Sequence, residues 1–273
     1  MTKKLSRRDT LAGIGLMALA PPVFGLQDAR ANDSSPPIGG AVRDGVLLDE
    51  FIRLRTSPDG AAVRWVYSGL LMLKVEGELA RPAVRIEGMS RAVAIRRAEG
   101  GWTWVLDEAG WYCDLETGAV LERWRNPITD REVTPKPYRS PQTLIFTEAG
   151  VLPGQALPSG TDFRGEIRRF TEVGHHLALT EDLYVRVPGR GVYASLATFT
   201  APRAALRDRN DWVDCKFSYT TLNSFVGWLG MADVPGVQDM RLAGFKCRTS
   251  DRAAIPDALH ARLQAQHPAL LER

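Results

Sequence analysis

The sequence predicts a mainly β protein, folded as a single antiparallel barrel or strongly curved, calycin-like sheet with a short helix near each end. Short segments of alternating apolar and polar residues begin at Ala62 and recur roughly every 8–12 residues, as in β sandwiches and barrels. Gly, Pro and charged residues separate these segments. Seven tryptophans lie mostly on them, and aromatic side chains dominate β cores.

The first 31 residues are typical of a twin-arginine signal peptide. Arg7 and Arg8 lie in a basic segment, a mildly apolar run covers 11–20, and Ala29-Arg30-Ala31 fits a cleavage site. That run is shorter than the about 20 residues of a membrane-spanning helix. The sequence therefore predicts export by the twin-arginine machinery, cleavage after Ala31, a periplasmic location and no stable membrane anchor. An uncleaved anchor or a soluble N-terminal helix is the alternative.

The remainder, residues 32–273, is predicted to form one domain without net charge. The chain has 35 Lys and Arg and 32 Asp and Glu residues, of which five basic and two acidic ones lie in the first 31 residues, so the rest has 30 of each. Nucleic-acid binding needs an excess of Lys and Arg. We therefore expect no nucleic-acid partner. No linker or repeat divides this part of the chain.

Periodicity predicts the elements in order. An apolar stripe predicts a helix from Asp44 to about Leu54, and Ile255, Leu259 and Leu263 share a face of a predicted tail helix that packs on an open end or flank. A proline-rich loop is expected over 135–160. The predicted strands are 63–75, 84–87, 92–97, 103–106, 111–114, 120–124, 143–146, 163–170, 175–179, 183–187, 191–199, 214–222 and 237–248.

Two pairs of adjacent carboxylates suggest acid–base chemistry, but their positions favour another interpretation. Asp107 and Glu108 follow a predicted strand, and Thr180-Glu181-Asp182 is a predicted hairpin turn. Adjacent carboxylates at turns indicate solvated loops rather than a catalytic pair.

The cysteines are Cys113, Cys215 and Cys247, and an odd number leaves at least one thiol free. A twin-arginine substrate folds in the reducing cytosol, which favours three buried thiols. Cys215 and Cys247 are the pair to test for a disulfide.

The sequence predicts no cofactor and no metal site. It contains no P-loop, Gly-x-Gly-x-x-Gly, Gly-x-Ser-x-Gly or His-Glu-x-x-His motif. His175 and His176 point to opposite faces of a strand, so at most one faces a lumen. Tyr184 and Arg186 share a strand face, where a hydroxyl beside a guanidinium can hold an oxyanion. If the protein is an enzyme, we predict catalysis by His176, Tyr184 and Arg186; core and surface roles are the alternative.

A barrel of this size can enclose a cavity, and a tryptophan-rich wall favours an apolar or aromatic ligand. The stretch 228–231 is predicted to form one wall of such a pocket, with a core role as the alternative. Asp233 would need a functional explanation if it were buried and unpaired beside Trp228. The predicted ligand-binding residues are Trp65, Trp102, Trp104, Trp124, Asn126, Trp228, Met231 and Asp233.

Two short motifs give the chain a family resemblance. Trp124-Arg125-Asn126-Pro127-Ile128-Thr129 and Trp228-Leu229-Gly230-Met231 are the most specific, supported by the segments 63–69, 114–121 and 244–246. In these motifs the chain resembles the DUF1838 proteins, a bacterial family of unknown function that is often exported. The resemblance implies a single, mainly β domain and no particular activity. Asp130 replaces the family's usual glycine, and Lys136-Pro137-Tyr138 occupies the region where a histidine is expected.

The sequence thus predicts an exported protein that binds a small apolar or aromatic molecule in a barrel cavity. On the enzymatic interpretation it also transforms that molecule without a cofactor, as an isomerase or lyase. The alternative is a non-catalytic interaction or structural protein of the periplasm. An enclosed cavity with polar groups among the tryptophans favours the first, and a fully packed interior with an exposed apolar patch favours the second.

Overall fold

The computed structural model describes residues 45–189, 191–207 and 211–272. The twin-arginine segment, its cleavage site and the helix start predicted at Asp44 lie outside the described residues. Of the helices in these ranges, none has the length and apolar character needed to cross a membrane.

Two α-helices and thirteen β-strands make up the regular structure of the described ranges. In chain order they are α1 (Gly45–Arg55), β1 (Val63–Val75), β2 (Arg81–Arg96), β3 (Trp102–Cys113), β4 (Trp124–Arg125), β5 (Glu132–Val133), β6 (Tyr138–Arg139), β7 (Gln142–Thr147), β8 (Gly150–Pro153), β9 (Asp162–Val173), β10 (His176–Val187), β11 (Gly191–Pro202), β12 (Lys216–Asn223), β13 (Gly236–Arg248) and α2 (Asp257–Gln266).

Ten strands follow one another around a nearly closed antiparallel barrel. Their spatial order is β8-β7-β3-β2-β1-β13-β12-β11-β10-β9; β6 pairs with β3, and β4 and β5 form a separate small sheet. The two edge strands approach each other at Gly165 of β9, where an added Cβ would lie 2.7 Å from the Cβ of Val151 of β8. The mainly β, barrel-shaped fold predicted from the strand pattern is confirmed.

Several strands are longer than the sequence predicts. β2, β3 and β10 each join two predicted strands, and the hairpin turn predicted at Thr180-Glu181-Asp182 is wrong. The charges there do not mark a turn, because Glu181 points into the barrel and pairs with Arg55, whereas Asp182 lies on the outer face near Arg168. The predicted strand over 120–124 is reduced to an isolated bridge at Val120 and to β4.

Helix α1 closes one end of the barrel. Its Phe51 and Leu54 are fully buried, and the Phe51 ring centroid lies 5.4 Å from that of Phe146 and 5.5 Å from that of Phe199. These residues join the core at the start of β1, which includes Val63.

Lys246 of β13 holds the C-terminal end of α1. Its Nζ donates hydrogen bonds to the carbonyl oxygens of Arg53, at 3.2 Å, and Thr56, at 2.8 Å. A cation at this end of a helix is favourable because the last carbonyl groups carry partial negative charge. Burial lowers the pKa of Lys246 to about 8.

Helix α2 packs on the flank of the barrel, as the sequence predicts for the tail. The predicted face of Ile255, Leu259 and Leu263 is buried. It contacts outward-facing side chains of β1, β2 and β3, namely Val66, Met89, Ala109, Trp111 and Cys113. The three cysteines are buried and free, so Cys215 and Cys247 form no disulfide.

Two turns cover the other end of the barrel, and Asn126 joins them. Asn126 is fully buried. Its Nδ2 donates to the carbonyl oxygen of Leu229 at 2.8 Å, and its Oδ1 accepts from the backbone N–H of Ile128 at 2.8 Å. Trp124 packs on Trp228 with ring centroids 5.9 Å apart. The specific motifs of the sequence are therefore in contact with each other.

Candidate functional site

The barrel contains a cavity of about 620 Å³, a volume typical of small-molecule sites. Five of the chain's six tyrosines line it, so hydroxyl groups are concentrated among aromatic surfaces. The ten aromatic lining residues are Trp65, Tyr67, Trp104, Tyr112, Tyr138, Tyr193, Phe199, Phe217, Tyr219 and Trp228. The exposed lining residues are Lys136, Pro137, Arg139 and Gly227. The cavity therefore opens between the segment that leads into β6 and the turn at Gly227.

Two glycines make room for a pair of tyrosines on the cavity wall. Tyr67, Gly88, Gly110 and Tyr138 occupy paired positions on four neighbouring strands, β1, β2, β3 and β6. A Cβ on Gly88 would lie 2.3 Å from Tyr67 Oη, and a Cβ on Gly110 would lie 2.4 Å from Tyr138 Cζ. The tyrosine side chains fill these spaces, and their hydroxyl oxygens lie 2.8 Å apart.

Both hydroxyl groups of this pair are protonated at neutral pH. Burial raises the pKa of Tyr67 and of Tyr138 well above the ordinary tyrosine value, and the nearby Glu108 carboxylate raises both further. A protonated phenol both donates and accepts hydrogen bonds. The pair can therefore donate to an oxygen atom of a ligand.

Glu108 lies beside the tyrosine pair, on the inward face of β3 two residues before Gly110. Burial raises the pKa of its carboxyl group to about 7; a hydrogen bond with the Tyr67 hydroxyl opposes this shift, and the negative charge of Asp107 adds to it. Within the described residues, no cationic group pairs with Glu108. The side chain is only partly buried because it faces the cavity. Glu108 can therefore gain or lose a proton near neutral pH.

The second carboxylate of the cavity, Glu181, has a cationic partner. Glu181 and Arg55 form an ion pair in which each side chain is 7% exposed. The Arg55 guanidinium carbon lies 4.3 Å from the ring centroid of Trp104 and 4.8 Å from that of Phe199. Arg55 thus compensates the charge of Glu181 and holds its side chain in place. Glu108 has no such cationic partner in the described residues, so its carboxyl group can exchange a proton.

Other polar groups of the cavity lie among the aromatic rings. The hydroxyl groups of Tyr193 and Tyr219 hydrogen-bond to each other. The buried polar atoms of lining residues that have no hydrogen-bond partner in the described part of the chain include Trp65 Nε1 and Asn223 Oδ1. Buried polar atoms are nearly always hydrogen-bonded, so these atoms are exceptions beside the cavity.

Three of the eight predicted ligand-binding residues line the cavity: Trp65, Trp104 and Trp228. The Trp228 ring packs against Tyr112 with centroids 4.7 Å apart. Of the stretch 228–231 predicted to form one wall of a pocket, only Trp228 lines the cavity, and a role of this stretch in ligand binding stays a prediction.

The other five predicted ligand-binding residues do not line the cavity. Trp102 shares a strand face with Trp104 but packs in the core beside it, next to Arg96. Trp124, Asn126 and Met231 support the turns at the end of the barrel, and Asp233 is exposed rather than buried beside Trp228. Contact of these five residues with a ligand stays a prediction.

The three predicted catalytic residues, His176, Tyr184 and Arg186, lie outside the cavity. Glu181 and Leu183 point inward from β10, and side chains alternate along a strand, so the three even-numbered residues point outward. His176 and Arg186 are exposed. The Tyr184 ring packs against Arg164, whose guanidinium carbon lies 5.8 Å from the ring centroid. A catalytic role for these three residues stays a prediction, and none of them contacts the cavity groups.

Glu108 and Glu181 line the cavity, although neither was predicted from the sequence as a cavity residue. The interpretation of both carboxylate pairs as solvated loops is wrong, because each pair lies within a long strand and one member points inward. A continuous strand face through Trp104, Leu106, Glu108, Gly110 and Tyr112 was the pattern that could have identified Glu108. Nothing in the sequence alone shows which tyrosines meet across the strands.

In the ranges that the structure describes, no group of three or more His, Cys, Asp or Glu residues could hold a metal ion. All four histidines lie away from the cavity lining.

The fold and the cavity define this protein as an antiparallel β-barrel with a ligand-sized, aromatic cavity. A family model described as "Protein of unknown function (DUF1838)" matches residues 60–272, from just before β1 to the end of the described chain. The chain therefore belongs to the DUF1838 family, and the resemblance in the Trp-x-Asn-Pro-x-Thr and Trp-Leu-Gly-Met motifs is confirmed. No curated protein and no solved structure matches the chain.

Proposed function

We propose that the barrel binds a small, mainly apolar or aromatic molecule that carries one oxygen function, such as a ketone or a phenol. The observation that carries this proposal is the Tyr67–Tyr138 hydroxyl pair, 2.8 Å apart, in the wall of a cavity lined by aromatic side chains. Apolar walls supply binding free energy, and a few convergent polar groups orient the ligand. The protonated hydroxyl pair suits an oxygen atom that accepts a hydrogen bond.

The cavity favours ligand binding over a purely structural or protein-binding role. A barrel that serves only as a scaffold gains stability from a filled interior, since empty volume costs packing contacts. This barrel instead keeps about 620 Å³ open and places polar groups in it.

Binding can be tested with two probes of matched shape, 2-naphthol and naphthalene, by equilibrium dialysis. We expect 2-naphthol to bind with one site per chain and about tenfold more tightly than naphthalene, since one hydrogen bond contributes about 1–1.5 kcal/mol. Tyr138→Phe should remove this preference while naphthalene binding persists. Equal affinity of the two probes for the wild-type protein would contradict the role of the hydroxyl pair.

A matched pair of variants locates the binding site. Ala197 lies on the cavity wall and Ala243 is exposed on the outer face of β13. Ala197→Phe should fill part of the cavity and abolish 2-naphthol binding, whereas Ala243→Phe should leave it unchanged. Unfolding midpoints are measured for both variants to ensure that each is folded. Binding that survives Ala197→Phe in a folded protein would place the ligand elsewhere.

We also propose that the twin-arginine machinery exports the chain to the periplasm and that the signal is cleaved after Ala31. The support is the order of basic segment, apolar run and cleavage site in the sequence. Arg7→Lys combined with Arg8→Lys should retain the protein in the cytoplasm, and Lys3→Arg combined with Lys4→Arg should not. Cell fractionation and the mass of the mature N-terminus test this proposal, and a double-lysine variant that is still exported contradicts it.

A further inference from the structure

We infer that Glu108 is the acid–base residue of a cofactor-independent isomerase whose substrate is a ketone with an acidic C–H bond next to its carbonyl group. The inference rests on the proposed function, because the ketone occupies the same cavity. The juxtaposition that points to it is a carboxylate without a cationic partner beside a pair of protonated hydroxyl groups, inside an aromatic cavity.

The two cavity carboxylates differ in a way that separates their roles. Glu181 is locked to Arg55 in a buried ion pair, so its carboxylate is already engaged by the guanidinium. Glu108 interacts with the neutral hydroxyl of Tyr67 and with no cation in the described residues. Proton transfer at carbon needs a base that takes up and returns a proton at neutral pH. Burial gives Glu108 a pKa of about 7, which agrees with the role that its position indicates.

The reaction is a proton shift that consumes no second reactant. The Glu108 carboxylate removes a proton from the carbon next to the carbonyl group. The C–H bonding pair becomes the C=C bond of an enolate, and the carbonyl π pair moves to the oxygen. The Glu108 carboxylic acid then returns the proton, either to the same carbon or to the far end of a conjugated double bond. The second outcome moves the double bond and completes an isomerisation.

The two tyrosines have different roles in this step. The Tyr67 hydroxyl lies beside Glu108 and lowers the pKa of its carboxyl group, so we assign Tyr67 as a positioning residue for the carboxylate. Tyr138 is linked to Glu108 through the Tyr67 hydroxyl, and its hydroxyl oxygen is 2.8 Å from that of Tyr67. Its hydrogen can turn to the ligand oxygen, where negative charge develops in the enolate. A donor aimed at that oxygen in a site that excludes water contributes strongly to catalysis.

Among the described residues, no other group that lines the cavity is better suited than Glu108 to act as the base. Tyr112, Tyr193 and Tyr219 have pKa values raised by burial and stay protonated. Lys136 lies at the exposed mouth.

The probe for the reaction is 2-tetralone, an aromatic ketone with an acidic CH₂ group between the ring and the carbonyl group. In D₂O the protein should exchange these hydrogens for deuterium, which mass spectrometry measures. Glu108→Gln should slow this exchange at least about 100-fold, the usual size of general-base contributions. Glu122→Gln, at an exposed position outside the cavity, is the matched control and should exchange at the wild-type rate. Glu108→Asp keeps a carboxyl group at a shorter reach and should give an intermediate rate.

Binding is measured separately, so the two proposals can fail separately. Binding of 2-naphthol to each variant, and its displacement by 2-tetralone, report occupancy of the cavity. If both probes bind and Glu108→Gln exchanges as fast as the wild type, the acid–base inference is overturned and the proposed function stands. If neither probe binds, both are overturned.

The role of Tyr67 has its own readout. Its hydrogen bond lowers the pKa of Glu108, so Tyr67→Phe should shift the pH profile of deuterium exchange to higher pH as well as slow the exchange. A slower exchange with an unchanged profile would contradict the positioning role.

Discussion

The hydroxyl oxygens of Tyr67 and Tyr138 lie 2.8 Å apart, although the residues are 71 positions apart in the chain. They meet because Gly88 and Gly110 occupy the two strand positions between them and provide the space that the rings need. A row of four paired residues thus positions the polar part of an aromatic cavity.

We predict that Gly110→Ala displaces the Tyr138 ring. The three atoms nearest to an added Cβ all belong to the Tyr138 side chain, at 2.4–2.6 Å, closer than any van der Waals contact. Such overpacking costs about 1–3 kcal/mol. Urea unfolding should show this loss, and 2-naphthol binding should weaken because the hydroxyl pair separates.

A double-mutant cycle tests whether Tyr138 is the cause. In a Tyr138→Ala background the methyl group of Gly110→Ala has room, so the second substitution should cost less than about 0.5 kcal/mol. Equal costs in the two backgrounds would mean that the strand backbone, not the ring, opposes the methyl group.

The stability of the protein should depend on pH through Glu108. The pKa of this carboxyl group rises from about 4.5 in the unfolded chain to about 7 in the fold. Between these values the folded state binds more protons, so stability falls as the pH rises through this range. The same side chain therefore opposes folding most strongly above pH 7, where it is ionised inside the cavity.

Glu108→Gln removes this dependence. From pH 5 to pH 8 the variant should gain about 2–3 kcal/mol relative to the wild type, as the shift in pKa implies. Urea unfolding at both pH values measures the difference, in which most other titrating groups cancel. A difference that is the same at pH 5 and pH 8 would show that the pKa of Glu108 is not raised.

Removing one partner of the buried Arg55–Glu181 pair should lower the free energy of unfolding much more than replacing both partners with apolar residues. Glu181→Gln leaves the Arg55 guanidinium buried without an anion, which costs about 3–5 kcal/mol. Replacing both, as Arg55→Met with Glu181→Leu, should cost far less than the sum of the two single changes. The exposed Arg164–Asp162 pair is the control, and Asp162→Asn should cost less than about 1 kcal/mol by urea unfolding.

The sequence predicted the barrel but not its chemistry, for a physical reason. Apolar and polar residues alternate over parts of β1 and β13, as in Val63-Arg64-Trp65 and Met240-Arg241-Leu242, so these strands could be predicted. Glu108 and Glu181 break that alternation, because each places a charge on the inner face. A charged residue within a strand segment is easily interpreted as part of a turn unless its ion-pair partner is known. For Glu181 that partner is Arg55, 126 residues earlier.

The tyrosine pair depends on strand register, which the sequence does not show. Tyr67 faces Gly88 only in one pairing of β1 with β2, and a shift of one residue would turn it to the outer face. The catalytic residues predicted on β10 illustrate the same limit. Tyr184 and Arg186 share a face as predicted, yet the register of β10 in the sheet turns that face outward.

Asn126 should contribute to the stability of the fold and not to ligand binding. Its side chain is fully buried and serves two backbone groups, the Leu229 carbonyl and the Ile128 N–H. Asn126→Ala leaves both without a partner and should cost about 2–3 kcal/mol in urea unfolding. Under conditions where the variant is folded, its affinity for 2-naphthol should change less than about threefold, or about 0.6 kcal/mol. Trp228→Ala, which removes a cavity wall, should lower the affinity much more. An Asn126→Ala variant that is stable but binds 2-naphthol as weakly as Trp228→Ala would instead support the ligand contact that the sequence predicts.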